Sequence, residues 1–255
     1  MAITIAVTNQ KGGVGKTTTA VNVAYFLSKM GKKTLLIDFD PQGNATSGLG
    51  IDKQSLEIGM TEAVTNQNPL SEVIIATEHK GLFLAPTTAH LANTEVELAK
   101  AEGRFVRLRR AIDEIQVDYD FIIIDSPPSL SLLTVNGLIA SQYILLPVQA
   151  EFYALEGLGQ LLETMKLIRK GLNPMLEIIG VLPTMMDSRT TLSNQVYEEI
   201  KKYFPDKIFK TTIPRNIRLA EAPSHGLPVG VYDRFSKGSR AYKQLTKEIV
   251  ERIEK

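Results

Sequence analysis

Two residue types are missing from this 255-residue chain: it has no cysteine and no tryptophan. Without thiols there is no disulfide framework, no cysteine-bound metal and no iron–sulfur cluster, which fits the reducing cytoplasm. An excess of charge of one sign is also lacking. The 29 lysines and arginines stand against 28 acids for a net charge of +1, so any affinity for nucleic acid has to come from local patches and not from the global field. Long apolar runs are absent too. Segments such as Phe-Ile-Ile-Ile at 121–124 are strand-sized, far short of the ~20 residues that cross a bilayer. The opening Met-Ala-Ile-Thr-Ile-Ala-Val carries no charged leader and reads as a first strand, not a signal peptide. The three histidines, at 79, 90 and 225, do not have metal-site spacing.

What is present is a chain that is 44% hydrophobic, long enough to bury one large core, and 1–255 is expected to be one domain. Short β-rich runs alternate with longer helix-patterned ones. That order predicts a doubly wound, mostly parallel α/β sheet with helices on both faces. The strand candidates are 3–8, 34–38, 82–85, 121–125, 143–148 and 178–182, with a weaker one at 208–211. Helical spacing covers 17–30, 69–76, 89–101, 104–115, 130–140, 155–170, 192–203 and 240–253.

The first strand leads into Lys11-Gly-Gly-Val-Gly-Lys-Thr-Thr18. Gly12, Gly13 and Gly15 let backbone N–H groups converge on phosphate oxygens, and the following helix adds its positive end. Lys16 then reaches the β- and γ-phosphates while Thr17 ligates Mg²⁺. The standard pattern would have its opening glycine at position 10, where this chain has Gln10, followed by an additional lysine, Lys11.

Two further segments carry carboxylates at the ends of strands. Asp38-Phe-Asp-Pro-Gln-Gly43 places two of them at the carboxyl edge of the sheet, where ligands of open α/β folds bind. Asp-Pro is also an ordinary turn former, but beside a phosphate loop a role for Asp40 in orienting water or organising a metal shell is the stronger reading. Phe121-Ile-Ile-Ile-Asp-Ser-Pro-Pro128 is a hydrophobic strand ending in an acid, the form needed to hold Mg²⁺ at Asp125.

Together these three segments resemble the deviant Walker ATPases, and among them the ParA (Soj) chromosome-partitioning family. The likeness extends to Tyr153-Ala-Leu-Glu-Gly157, Met186-Asp-Ser-Arg189 and Ile213–Gly226. The resemblance implies a P-loop NTPase in which ATP closes two subunits into a homodimer that binds DNA without sequence preference. A ParB-type centromere-binding partner then stimulates hydrolysis and releases it. The nucleotide site it implies comprises Lys11, Gly12, Gly13, Val14, Gly15, Lys16, Thr17 and Thr18, with Pro214 and Asn216 at the base. Lys11 matches a lysine that reaches the other subunit's phosphates, Lys16 the lysine acting within its own subunit, Thr17 and Asp125 the Mg²⁺ ligands, and Asp40 the residue required for hydrolysis. Arg189 and Arg218 match arginines used on DNA, and the location implied is the nucleoid within the cytoplasm, with a chromosome or a plasmid as cargo.

A second lysine makes physical sense, because the γ-phosphoryl transition state spreads negative charge over several oxygens. Two basic stripes, Lys237/Arg240/Lys243/Lys247 and Arg104/Arg107/Arg110, read first as solvated helix faces. A MinD-type membrane positioner would need an amphipathic tail, whereas 244–255 has few large apolar residues and no aromatic, so a helix docked on the body and no stable membrane association are expected. An electron carrier like the nitrogenase iron protein needs cysteines. A nucleotide-binding scaffold without hydrolysis is opposed by Lys16, Thr17, Asp40 and Asp125.

Overall fold

The computed structural model describes residues 1–88, 90–151, 158–187 and 189–254. Seven strands form the described sheet: β1 (Ile3–Val7), β2 (Thr34–Asp38), β3 (Ile75–Ala76), β4 (Leu82–Ala85), β5 (Phe121–Asp125), β6 (Tyr143–Gln149) and β7 (Glu177–Thr184). Their order is β3-β4-β2-β5-β1-β6-β7, and every pairing is parallel except β3 with β4. The sheet carries α1 (Lys16–Lys29), α2 (Asn44–Gly48), α3 (Met60–Thr65), α4 (Leu70–Val73), α5 (Leu91–Lys100), α6 (Arg107–Asp113), α7 (Leu132–Ala140), α8 (Leu158–Gly171), α9 (Thr191–Tyr203), α10 (Ile217–Glu221), α11 (Val229–Tyr232) and α12 (Lys237–Ile253).

Alternation along the central strands sorts the core into two layers. Ile5, Leu36 and Ile123 point to the side of α1 and α12, where Ala24, Leu27, Tyr242 and Leu245 share their cluster. Leu35, Ile37, Ile122 and Ile124 point the other way, onto residues of α3, α5 and α6 such as Met60, Leu98 and Leu108. Strands covered on both faces explain the continuous apolar runs. Every residue of β2 and β5 is buried.

Three sequence expectations are corrected. The helix over 69–76 shortens to α4, and Ile75 and Ala76 pair antiparallel with Leu84 and Phe83 at the sheet edge, so tertiary pairing overrides the local pattern. The 208–211 strand is reduced to one bridge between Val181 and Ile208. The backbone N–H groups of Lys210 and Thr211 instead donate to the Glu248 carboxylate at 2.9 and 3.0 Å, which removes them from any ladder. The helix over 104–115 starts only at Arg107, because the buried Asn136 side chain donates to the Arg104 carbonyl and accepts from Leu108 N–H. The helix starts assigned to 89 and 155, and the family-like stretch 153–157, lie outside the described residues, as does Ser188.

The C-terminal helix is docked, as its composition predicts. Tyr242, Leu245, Ile249 and Val250 of α12 are buried, and Lys237, Arg240, Lys243 and Lys247 are exposed. Arg104 and Arg107 differ from a simple solvated stripe, since each donates to a backbone carbonyl, of Ala99 and Glu102.

Candidate nucleotide site

The glycine loop is fixed at both ends to neighbouring strands. Asn9 donates to the Pro147 carbonyl of β6 (2.7 Å) and accepts from Lys11 N–H (3.0 Å), while Thr184 at the end of β7 donates to the Val14 carbonyl (2.9 Å). Between these anchors Gly13 and Gly15 adopt φ of 75° and 89°, values that side chains with a Cβ rarely take. Nothing lies within 4 Å of where a Cβ on Gly12, Gly13 or Gly15 would stand. The loop is therefore an open cradle of backbone amides at the start of α1. Gln10, standing where the standard motif has glycine, keeps its side-chain nitrogen buried without a partner.

Lys16 folds back over this cradle. Its ammonium donates to the Lys11 carbonyl at 3.0 Å, and the residue is buried. Burial lowers its pKa from the ordinary lysine value, and the charges of Asp125 and then Asp40 work against that. Lys11 takes another direction: its ammonium is 2.9 Å from Glu151 Oε2 of the same chain, both side chains about half exposed. Gln149 donates to the other Glu151 oxygen.

Register delivers the acids. Asp38 of β2 and Val7 of β1 both stand opposite Asp125 of β5, so the two carboxylates and the start of the glycine loop share the carboxyl edge of the sheet. Asp38 accepts from Thr46 N–H at 2.7 Å and from Thr46 Oγ1 at 2.6 Å, and Thr46 Oγ1 in turn accepts from Thr87 N–H. Burial pushes the Asp38 carboxyl up to about 6; the Thr46 hydrogen bonds oppose the rise and the Asp40 charge adds to it. Asp125 is wholly buried, with both oxygens unpartnered. Burial and then the Asp38 charge raise it well above the carboxylate range, against a lowering by the adjacent Thr17 side chain. Orphaned carboxylate oxygens beside a threonine hydroxyl are a donor set that suits a hard divalent cation keeping part of its water shell. Asp40 is 5% exposed, and its Oδ1 accepts from Gln42 N–H at 3.0 Å.

Two clefts flank the start of α1. One of about 260 Å³ is lined by Gly15, Thr18, Met185, Pro214, Asn216 and Tyr242 among others. The second, of about 440 Å³, shares Thr18 and Leu219 with it and runs past Thr17 to Asn44 and Ser47 of α2. Pro214 is placed by a bridge to Met186, and the Asn216 side chain caps α10 by accepting from Arg218 N–H at 2.9 Å. The structure thus brings together the expected residues from the loop, Asp125, Pro214 and Asn216. Tyr242 was not expected there; its hydroxyl lies 3.1 Å from Thr19 Oγ1 of α1.

The two arginines expected on DNA stand on the segments joined by the Met186–Pro214 bridge. Arg189 is 87% exposed along its side chain and forms a two-pronged pair with Asp187, at 2.9 and 2.7 Å. Arg218 pairs with Glu221 at 2.8 Å and with Asp233 at 3.4 Å. The sequence carries no local signal for Glu151, which meets Lys11 from 140 residues away.

Comparison with known proteins accords with this geometry. A family model described as an AAA domain matches residues 2–178. The chain is 54% identical over 245 residues to the sporulation initiation inhibitor protein Soj of Bacillus subtilis (strain 168), covering 96% of this chain and 97% of that protein. It is 48% identical to the chromosome partitioning protein ParA of Myxococcus xanthus (strain DK1622), over 97% of this chain and 88% of that one. Among solved structures, cobyrinic acid a,c-diamide synthase from Mycobacterium smegmatis with bound ADP and magnesium superposes with a TM-score of 0.88 at 34% identity, covering 100% of this chain and 96% of the other. The chain belongs to the ParA/Soj family of partitioning proteins, on a P-loop fold.

Proposed function

We propose that the chain, acting as one unit over 1–255, is a Mg²⁺-dependent partitioning ATPase that couples ATP hydrolysis to release from DNA. The observation that carries this reading is the meeting of Lys16, Thr17 and the unpartnered Asp125 carboxylate beside an open glycine cradle, with the Asp40 turn at the same sheet edge. Binding of ADP with magnesium by the M. smegmatis relative supports the same ligand here.

In this reading Gly12, Gly13, Val14, Gly15 and Thr18 hold phosphate oxygens through backbone N–H groups, and Lys16 adds its ammonium to the β- and γ-phosphates. Thr17 and Asp125 hold Mg²⁺, which supplies neutralisation of charge on the phosphate oxygens. Asp40 orients the attacking water. The water oxygen bonds to the γ-phosphorus as the bond to the bridging oxygen breaks; that electron pair leaves with ADP, and the water's proton passes to an oxygen of the released phosphate. Pro214 and Asn216 wall the base in the 260 Å³ cleft.

Lys11 completes the site from a second copy of the chain, which makes turnover depend on a homodimer. That dimer joins Arg189 and Arg218 of both copies into one phosphate-binding surface on double-stranded DNA, placing the protein on the nucleoid. A ParB-type centromere-binding partner stimulates hydrolysis. ATPase activity measured with Mg²⁺, alone and with DNA and such a partner's N-terminal peptide, tests the reading. Intact ATP binding without stimulated hydrolysis refutes it.

A further inference from the structure

Resting on the ATPase reading above, we propose that Lys53 is a positioning residue for the turn that carries Asp40. The turn is compact: Gly43 N–H donates to the Asp40 carbonyl at 2.9 Å, Gln42 N–H donates to Asp40 Oδ1 at 3.0 Å, and Gly43 stands at φ 63°. On its far side Thr46 is held by the buried Asp38 carboxylate. One exit from the turn is therefore fixed from within the sheet.

Lys53 holds the other. Its ammonium donates to the Gln42 carbonyl at 2.6 Å, and its aliphatic chain lies across Gly43, with Cδ filling the space that a Cβ on that residue would need. Gly43 is thus required twice, for its left-handed backbone and for the room that Lys53 fills. The lysine has a fixed base, because it opens a one-turn helix, Lys53–Ser55, in which Asp52 accepts from Gln54 N–H at 3.0 Å. Among the described residues Lys53 has no carboxylate partner, so the Gln42 carbonyl is its charge-assisted bond.

The contact matters because Asp40 has to hold a water in line with a phosphorus atom. A displacement of about 1 Å of a reacting group costs about 10²-fold in rate, and the Asp40 carboxylate is tied through Gln42 N–H to the same residue whose carbonyl Lys53 holds. Lys53 has no bond to Asp40 itself, so it acts through the turn.

The test compares full-length wild type, Lys53→Met and Lys53→Arg in steady-state hydrolysis of Mg-ATP with non-specific DNA. Loss of the ammonium with the aliphatic chain kept is expected to lower kcat by about 10-fold while KM for ATP stays within about 2-fold, and Lys53→Arg restores most of the rate. Hydrogen exchange at the Gly43 amide accelerates in Lys53→Met and returns to the wild-type rate in Lys53→Arg. Wild-type turnover and wild-type exchange in Lys53→Met overturn the proposal alone, as does a loss that Lys53→Arg does not restore. A wild-type protein that binds ATP without hydrolysing it overturns the ATPase reading as well.

Discussion

Lys11 and Glu151 are ion-paired within one chain, at 2.9 Å, with side chains 39% and 46% exposed. The lysine for which we propose a role on a second subunit's phosphates is thus held on its own β6–α8 connection. The pair is half solvated, and exposed pairs contribute about 0–1 kcal/mol, whereas a γ-phosphate with developing charge is a stronger partner. Parking on Glu151 therefore presents a small barrier to the proposed dimer closure. Lys11→Ala is expected to leave nucleotide binding intact and lower turnover at least tenfold, checked by nucleotide titration beside an ATPase assay. Glu151→Gln removes the parking contact and is expected to shift the ATP concentration for half-maximal dimerisation by less than about 5-fold, the equivalent of 1 kcal/mol; light scattering against ATP concentration reads it.

Asp38 and Asp125 make the nucleotide-free protein sensitive to pH. Asp38 rises from 3.8 to about 6 in the folded chain, so between those values the native state binds more protons than the unfolded one, and stability falls as pH rises through that window. A rise of that size corresponds to about 3 kcal/mol. Asp38→Asn removes this charge while its side-chain oxygen still accepts from Thr46. Its melting temperature, relative to wild type, is expected to climb from pH 4 to pH 6.5 in the absence of nucleotide. A pH-independent difference between the two proteins contradicts the assignment.

Much of this architecture could be read from the chain because it is local. Phe121–Asp125 and Thr34–Asp38 form strands within the expected bounds, since continuous β-branched and apolar residues have few other uses. The glycine loop was equally legible, its φ values requiring the residues that spell it. What escaped was contact across distance: Glu151 on Lys11, Tyr242 on Thr19 and Lys53 on Gln42 bring together residues 140, 223 and 11 positions apart. The short helices α2, α3, α10 and α11 escaped for a related reason. At four to six residues they are too short to show a period, and caps and packing make them.

Membrane attachment through the C-terminus is not expected. Tyr242, Leu245, Ile249 and Val250 of α12 are already buried in the core, and an amphipathic anchor must have its apolar face free to enter the headgroup boundary. In sedimentation with anionic vesicles and Mg-ATP the protein should stay in the supernatant. ATP-dependent pelleting that disappears when 244–255 is removed would show that α12 can undock.

In the proposed DNA-binding role, Arg189 has to leave Asp187 before it can hold a phosphate. Its guanidinium makes two bonds to Asp187, and those bonds hold the Asp187 carboxyl down at about 2, so the acid stays ionised across the physiological range and competes with phosphate for the same fork. Arg189 is exposed and Asp187 half-buried at the surface, and solvent screening of such a pair makes the competition a matter of a few-fold in affinity. Asp187→Asn is expected to tighten ATP-dependent binding to non-specific duplex DNA about 2- to 5-fold. Arg189→Ala should weaken it and reduce the slope of log K against log salt by about 1 for each phosphate that the arginine neutralises. Fluorescence anisotropy at several salt concentrations measures both. An Arg189→Ala protein with the wild-type salt slope would remove Arg189 from the interface, and a looser Asp187→Asn complex would show that the acid orders the arginine for DNA instead of withholding it.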